Sequence, residues 1–290
     1  MYNSRIGIVS PPYTAKSAGI GVLHLLIHKL REYGFDAYFI PQCIPANVNP
    51  VYNTPLFSDV CADIAEIARD WVVLYPEGVY GNPMNARRVV RYLLNKERAF
   101  GGAGMGALGS DFLITYSRLF HPTAPVLFYP VIEGELLVRS GRVSPDSPRT
   151  VDAFYVGKGS AYGVCPPIPN ATAITRGWPE TKAKYYDLLE TVHTLHSYDW
   201  VTSTVLDAIL LGCKVRLIGS PGPTGEGDPF REDGELFGLW ERSPDDGVPQ
   251  TKCNARELLL SKTRLLKSRF DARMVELFSQ ICQMPETPVS

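Results

Sequence analysis

The order of apolar runs, glycines and amphipathic stretches in the first forty residues constrains the fold more than any other feature. Arg5–Val9 is a short β-branched run, the pattern of a buried strand. A polar loop follows, Ser10-Pro11-Pro12-Tyr13-Thr14-Ala15-Lys16-Ser17-Ala18-Gly19, and then an amphipathic helix from about Gly21 to Tyr33. Gly34 closes that helix and Asp36–Pro41 supplies a second strand. Strand, loop, helix, strand is the βαβ unit of a parallel sheet, with the loop at the strand's C-terminal end, where open α/β sheets take ligands. Gly19 and Gly21 let backbone amides approach a phosphate or sugar; they equally suit a glycine-tolerant turn.

The alternation recurs. Asp59–Ala68 reads as a short helix and Trp71–Tyr75 as a third strand. The turn-rich Pro76–Pro83 leads to a predicted helix over Met84–Leu94, with Asn82 as its cap and Pro83 at its start. That helix places Arg87, Arg88 and Arg91 together, with Lys96 and Arg98 beyond. The cluster is either a solvated face or an attraction for an anionic acceptor. Gly104–Gly109 spells G-x-G-x-x-G but precedes the strand-like Asp111–Tyr116 instead of opening a helix, so it is not a dinucleotide fingerprint. Tyr92-x-x-x-Lys96 matches a reductase pair by letters alone. Val126–Pro130 is strand-like, and Gly141–Arg149, polar with two prolines, is the best linker.

The second half restarts the grammar. Val151–Val156 is a strand ending in Gly157-Lys158-Gly159, and Ala171–Thr175 another, ending in Arg176-Gly177. Glu180–Thr194 is helical in pattern. A polar segment from His196 then leads into a helix closed by Gly212 and a strand over Cys213–Ile218. Two acids flank this turn, Asp199 before the helix and Asp207 inside it, and residues eight apart on a helix share roughly one face. Ser220–Gln250 reads as a surface insertion, and Asn254–Gln283 as a long helix capped by Asn254.

Bulk properties exclude several classes. The chain has 290 residues, 45% of them hydrophobic and 20% charged, enough for two modest domains of an ordinary globular protein. A net charge of −1 gives no general pull towards nucleic acid or anionic membrane. Six cysteines without a C-x-x-C pair suit reduced thiols better than a zinc site or disulfide frame. His24 and His28 stand at metal-ligand spacing but without a carboxylate, so no metal is expected. No apolar run is long enough to cross a membrane, and the sequence reads as cytoplasmic.

The Asp199-x7-Asp207 pair resembles the acid-x7-acid signature of retaining glycosyltransferases of the GT-B fold, with aspartates where those families mostly carry glutamates. The resemblance implies two facing Rossmann-like domains and a last helix crossing back to the first. The expected division is 1–148 for an acceptor domain, 149–253 for a donor domain and 254–290 for the crossing helix and tail. It also implies that Asp199 contacts the donor sugar and Asp207 the ribose. Lys158, Gly159, Arg176, Tyr198 and Thr202, with Gly19 and Gly21, complete the donor contacts. The segment beginning Tyr75-Pro76-Glu77-Gly78 is similar to a stretch of some bacterial and phage sugar transferases. It makes Glu77 a second candidate catalytic acid, and Asn82, Arg87 and Arg88 candidate acceptor contacts.

The expected co-substrate is therefore a nucleoside-diphosphate sugar with no further cofactor. Without a D-x-D triplet, the resemblance implies catalysis without a metal. A glycan or lipid-linked sugar is the default acceptor, and a hydroxylated base in phage-type DNA is an alternative. A non-catalytic nucleotide- or sugar-binding module would keep the phosphate cradle but need no acid pair. A nucleotide-sugar epimerase or dehydrogenase would need the glycine fingerprint that is lacking.

Overall fold

The structure, a computed structural model, describes residues 4–61, 63–97, 104–106, 111–118, 120–144, 148–161, 163–219, 230 and 236–285. The chain divides into two compact units, one of residues 1–129 with 267–290 and one of residues 130–266.

In the first unit β1 (Arg5–Ser10), α1 (Ala18–Glu32) and β2 (Asp36–Pro41) form the expected βαβ unit. Then follow α2 (Ile64–Asp70), β3 (Val72–Pro76), β4 (Arg88–Leu93) and β5 (Phe112–Thr115). The five strands are parallel and ordered β2-β1-β3-β4-β5. Ile6 and Ile8 on one face of β1 and Val9 on the other are all buried, as a central strand covered on both faces requires. Ser17 caps α1, its hydroxyl accepting from the Ile20 amide at 3.4 Å, and Gly34 ends it with φ +83°.

The second unit contains α3 (Gly134–Arg142), β6 (Val151–Tyr155), β7 (Ala171–Ile174), α4 (Lys182–Thr191) and β8 (Val192–Ser197). They are followed by α5 (Ser203–Leu210), β9 (Lys214–Leu217), β10 (Trp240–Arg242), β11 (Pro249–Thr251) and α6 (Ala255–Ile281). The sheet order is β10-β11-β9-β8-β6-β7, with β7, β6, β8 and β9 parallel and the last two strands antiparallel. Its core joins Leu195, Val205, Ile209, Val215 and Trp240 to Leu259 of α6. From Lys267 onward α6 belongs to the first unit, where Phe270 packs on Tyr129 and Phe278 on Phe35.

Several expectations change. The predicted helix over 84–94 is a turn followed by β4, which pairs with β3 and β5 on both sides. Asn82 does not cap a helix: its side chain accepts from Tyr75 Oη at 2.9 Å and from the Ala86 amide at 3.0 Å, closing a turn in which Asn85 takes φ +51°. The helix expected over 180–194 stops at Thr191, and the chain enters β8 directly, because Val192 and Leu195 are needed in the core. Val126–Pro130 contributes only an isolated bridge from Val126 to Thr115. Residues 220–229 and 231–235 lie outside the described part; the rest of the predicted insertion carries β10 and β11.

The contact division falls at 129/130 rather than 148/149, since α3 packs against α5. Within the predicted linker, Arg149 is an anchor. Its guanidinium donates to the Leu189 and Val192 carbonyls at 3.1 and 2.8 Å, and to that of Leu211, at the ends of α4 and α5.

No described helix is long and apolar enough to cross a membrane.

Candidate donor site at the second sheet

In each sheet one strand has neighbours reached by connections running in opposite directions, and ligands of open α/β sheets gather at the C-terminal ends flanking such a switch. In the second sheet the switch lies between β6 and β8, because β6 is followed by β7 on one side and β8 joins on the other. The two loops that meet there are 157–161 after β6 and 198–202 after β8. They carry Lys158 and Asp199.

The loops are locked together. Asp199 is 4% exposed; its carboxylate accepts from the Lys158 amide at 3.0 Å and the Val201 amide at 3.2 Å. Lys158 Nζ lies 4.0 Å from the same carboxylate and donates to the Val201 carbonyl at 2.8 Å. Burial raises the Asp199 pKa, opposed by the Lys158 charge, the two amides and Arg176. Both glycines are required by close packing. A Cβ on Gly159 would lie 2.5 Å from the Tyr198 carbonyl oxygen. One on Gly157, where φ is +48°, would lie 2.6 Å from Asp199 Oδ2. Gly159 thus serves loop-to-loop contact. Tyr198 is structural too, its hydroxyl donating to the Pro166 carbonyl at 2.7 Å.

Thr202 caps α5, its hydroxyl accepting from the Thr204 amide at 3.4 Å and its carbonyl from the Val205 amide at 3.2 Å, so the positive end of the helix dipole lies just after the loop that follows β8. Arg176, in the exposed turn after β7, acts electrostatically on both Asp199 and Tyr155. The two acids take the expected positions, Asp199 before the helix and Asp207 inside it. α5 begins at Ser203, so Asp199 lies in the loop before it, and the two carboxylates have different partners, the Lys158 and Val201 amides for Asp199 and Tyr185 with Lys182 for Asp207. Asp207 is buried, accepts from Tyr185 Oη at 3.2 Å and lies 3.5 Å from Lys182 Nζ. Hydroxyls lie between the two: Tyr155 feels the Asp199 charge, Thr202 Oγ1 donates to Thr204 Oγ1 at 3.4 Å, and Tyr185 donates to Asp207.

Sequence reasoning missed Tyr155, Lys182, Tyr185 and Thr204. The signal available was Thr181 as a helix cap followed by Lys182-x-x-Tyr185-Tyr186, an i, i+3, i+4 face.

The remaining predicted residues lie in the first unit. Gly19 and Gly21 sit inside α1, not in the loop; the Gly21 amide is spent on the Ser17 carbonyl at 3.0 Å. Glu77, after β3, accepts from the Leu94 amide at 2.9 Å. Arg88 donates to Ser4 Oγ at 2.8 Å and to the Asp70 carbonyl, and the Arg87 amide donates to the Ala68 carbonyl. Arg91 is 1% exposed and pairs with Asp111 at 2.7 Å, so the basic helix face expected there does not exist. Arg98 lies outside the described residues.

The chain matches no family model and no curated protein sequence.

Proposed function

We propose that the chain is a glycosyltransferase that moves a sugar from a nucleoside-diphosphate sugar to a hydroxyl acceptor with retention of configuration. The observation that carries the reading is the meeting of Lys158, Asp199 and the α5 N-terminus at the switch point of the second sheet. A diphosphate leaving group needs positive charge and oriented amides as its negative charge develops. Lys158 and Arg176 supply the charge, and the positive end of the α5 dipole adds to it. Each helix end contributes only ~0.3–1 kcal/mol at an exposed site, so the two cations carry most of the attraction. In this reading Asp199 holds the Lys158 loop in place beside the transferred sugar. Asp207 accepts from the ribose. The acceptor is a glycan or lipid-linked sugar; the Arg cluster that favoured DNA does not form a helix face.

The test is thermal. UDP or another nucleoside diphosphate, without added metal, is expected to raise the melting temperature of the full chain, and Lys158→Ala to abolish most of that rise. Absence of any shift at millimolar concentration across a panel of nucleotides and nucleotide sugars removes the reading.

A further inference from the structure

Lys182, the first residue of α4, sits in a cluster built from three elements. Its ammonium lies 3.5 Å from Asp207 Oδ2 of α5 and 3.7 Å from Oε1 of Glu133, which precedes α3. It also lies 5.2 and 5.3 Å from the ring centroids of Tyr185 and Tyr186, within cation–π range. Tyr185 donates to Asp207, and Tyr186 donates to Glu133 at 3.2 Å. Beyond Tyr186 lies α3: Arg139 stands over its ring at 5.7 Å, and Glu135 acts on its hydroxyl. Asp207 is buried, whereas a third of the Lys182 side chain is exposed.

A buried carboxylate stripped of its cation becomes costly as an anion and takes up a proton. A protonated acid donates where a ligand hydroxyl needs an acceptor. We propose that Lys182 is a positioning residue of the donor site: it keeps Asp207 an anion, oriented by Tyr185, able to accept from a ribose hydroxyl. The ribose part rests on the transferase reading above; the hold of Lys182 on Asp207 does not. Burial pushes Asp207 up to about 6, Glu133 adds to the rise, and Lys182 is the chief opposing influence. Asp207 is therefore mostly ionised at neutral pH, with little margin.

The experiment titrates the Asp207 carboxyl by carbon-13 NMR in the full chain, as wild type, Lys182→Met and Lys182→Arg, and measures UDP affinity from pH 5.5 to 9. Lys182→Met is expected to raise the Asp207 midpoint by roughly one to three units. It is also expected to weaken UDP binding at pH 7 in step with the lost anion, by about twofold for a rise of one unit and up to about a hundredfold for three, with recovery as pH rises towards the new midpoint. Lys182→Arg is expected to retain both properties, which separates a charge effect from a packing effect. An unmoved midpoint in Lys182→Met overturns the proposal. A moved midpoint with unchanged UDP affinity at pH 7 overturns its ligand half. Should wild type bind no nucleotide, the transferase reading fails, and the titration alone still decides the Lys182–Asp207 link.

Discussion

His24 is fully buried, 5.6 Å from the Tyr13 ring and 4.7 Å from that of Phe39. Burial lowers its pKa, and the Pro11 backbone opposes this only in part. The folded state therefore prefers the neutral imidazole. The unfolded chain binds its proton near pH 6.5, so stability is present above that pH and is lost as pH falls below it. His24→Phe, similar in bulk, is expected to flatten this loss. Urea midpoints at pH 7.5 and 5.5 check it, and an equal acid loss in the variant refutes it. The sequence showed His24 on the first helix at metal-ligand spacing with His28. It could not show that the two part company: His28 stacks on Tyr52 and accepts from the Asn53 amide.

At the scale of elements, β4 shows where reading letters in order breaks down. Arg88-Val89-Val90-Arg91-Tyr92-Leu93 follows a proline and a capping residue, the ordinary signals of a helix start, yet it is a strand. Its two arginines look solvated in sequence, and only the fold brings Asp111 beside Arg91. Arg91 also donates to the Val79 carbonyl at 3.0 Å and to that of Gly81, and stacks on Tyr75 at 4.9 Å, so it pins the 77–82 loop. Removing one partner of such a pair leaves a charge and two carbonyls unmet. Arg91→Met is expected to cost about 3–5 kcal/mol in urea unfolding. Adding Asp111→Leu is expected to recover part of that loss; a cost under about 1 kcal/mol marks the pair as dispensable. By contrast β1, α1, β2, β6, β9 and α6 were legible, because local hydrophobic period and caps agree with their tertiary setting. The Lys158 loop was legible as a strand-end loop, but the Asp199 loop was not, because 192–194 read as the end of a helix and β8 went unseen. The mutual locking of the two loops was hidden as well, since the contact spans 41 residues.

At the scale of the whole molecule, the units are stitched unequally into the chain. Residues 130–266 form one unit as an unbroken run, whereas the other needs residues 267–290 to complete 1–129. Trp71 is the only tryptophan of the first unit, fully buried against Tyr38, while Trp178, Trp200 and Trp240 belong to the second. A chain ending at Leu266 is expected to lose the Trp71 emission of a buried indole, read as the difference from its Trp71→Phe counterpart. The Trp240 environment is expected to persist; unchanged Trp71 emission refutes the dependence. The same stitching sets an order of events during synthesis. A ribosome adds Phe270 more than 130 residues after its partner Tyr129, and Phe278 more than 200 after its partner Phe35. Until then the unit of residues 1–129 has an uncovered apolar seam, and the nascent chain is most in need of a chaperone along that seam.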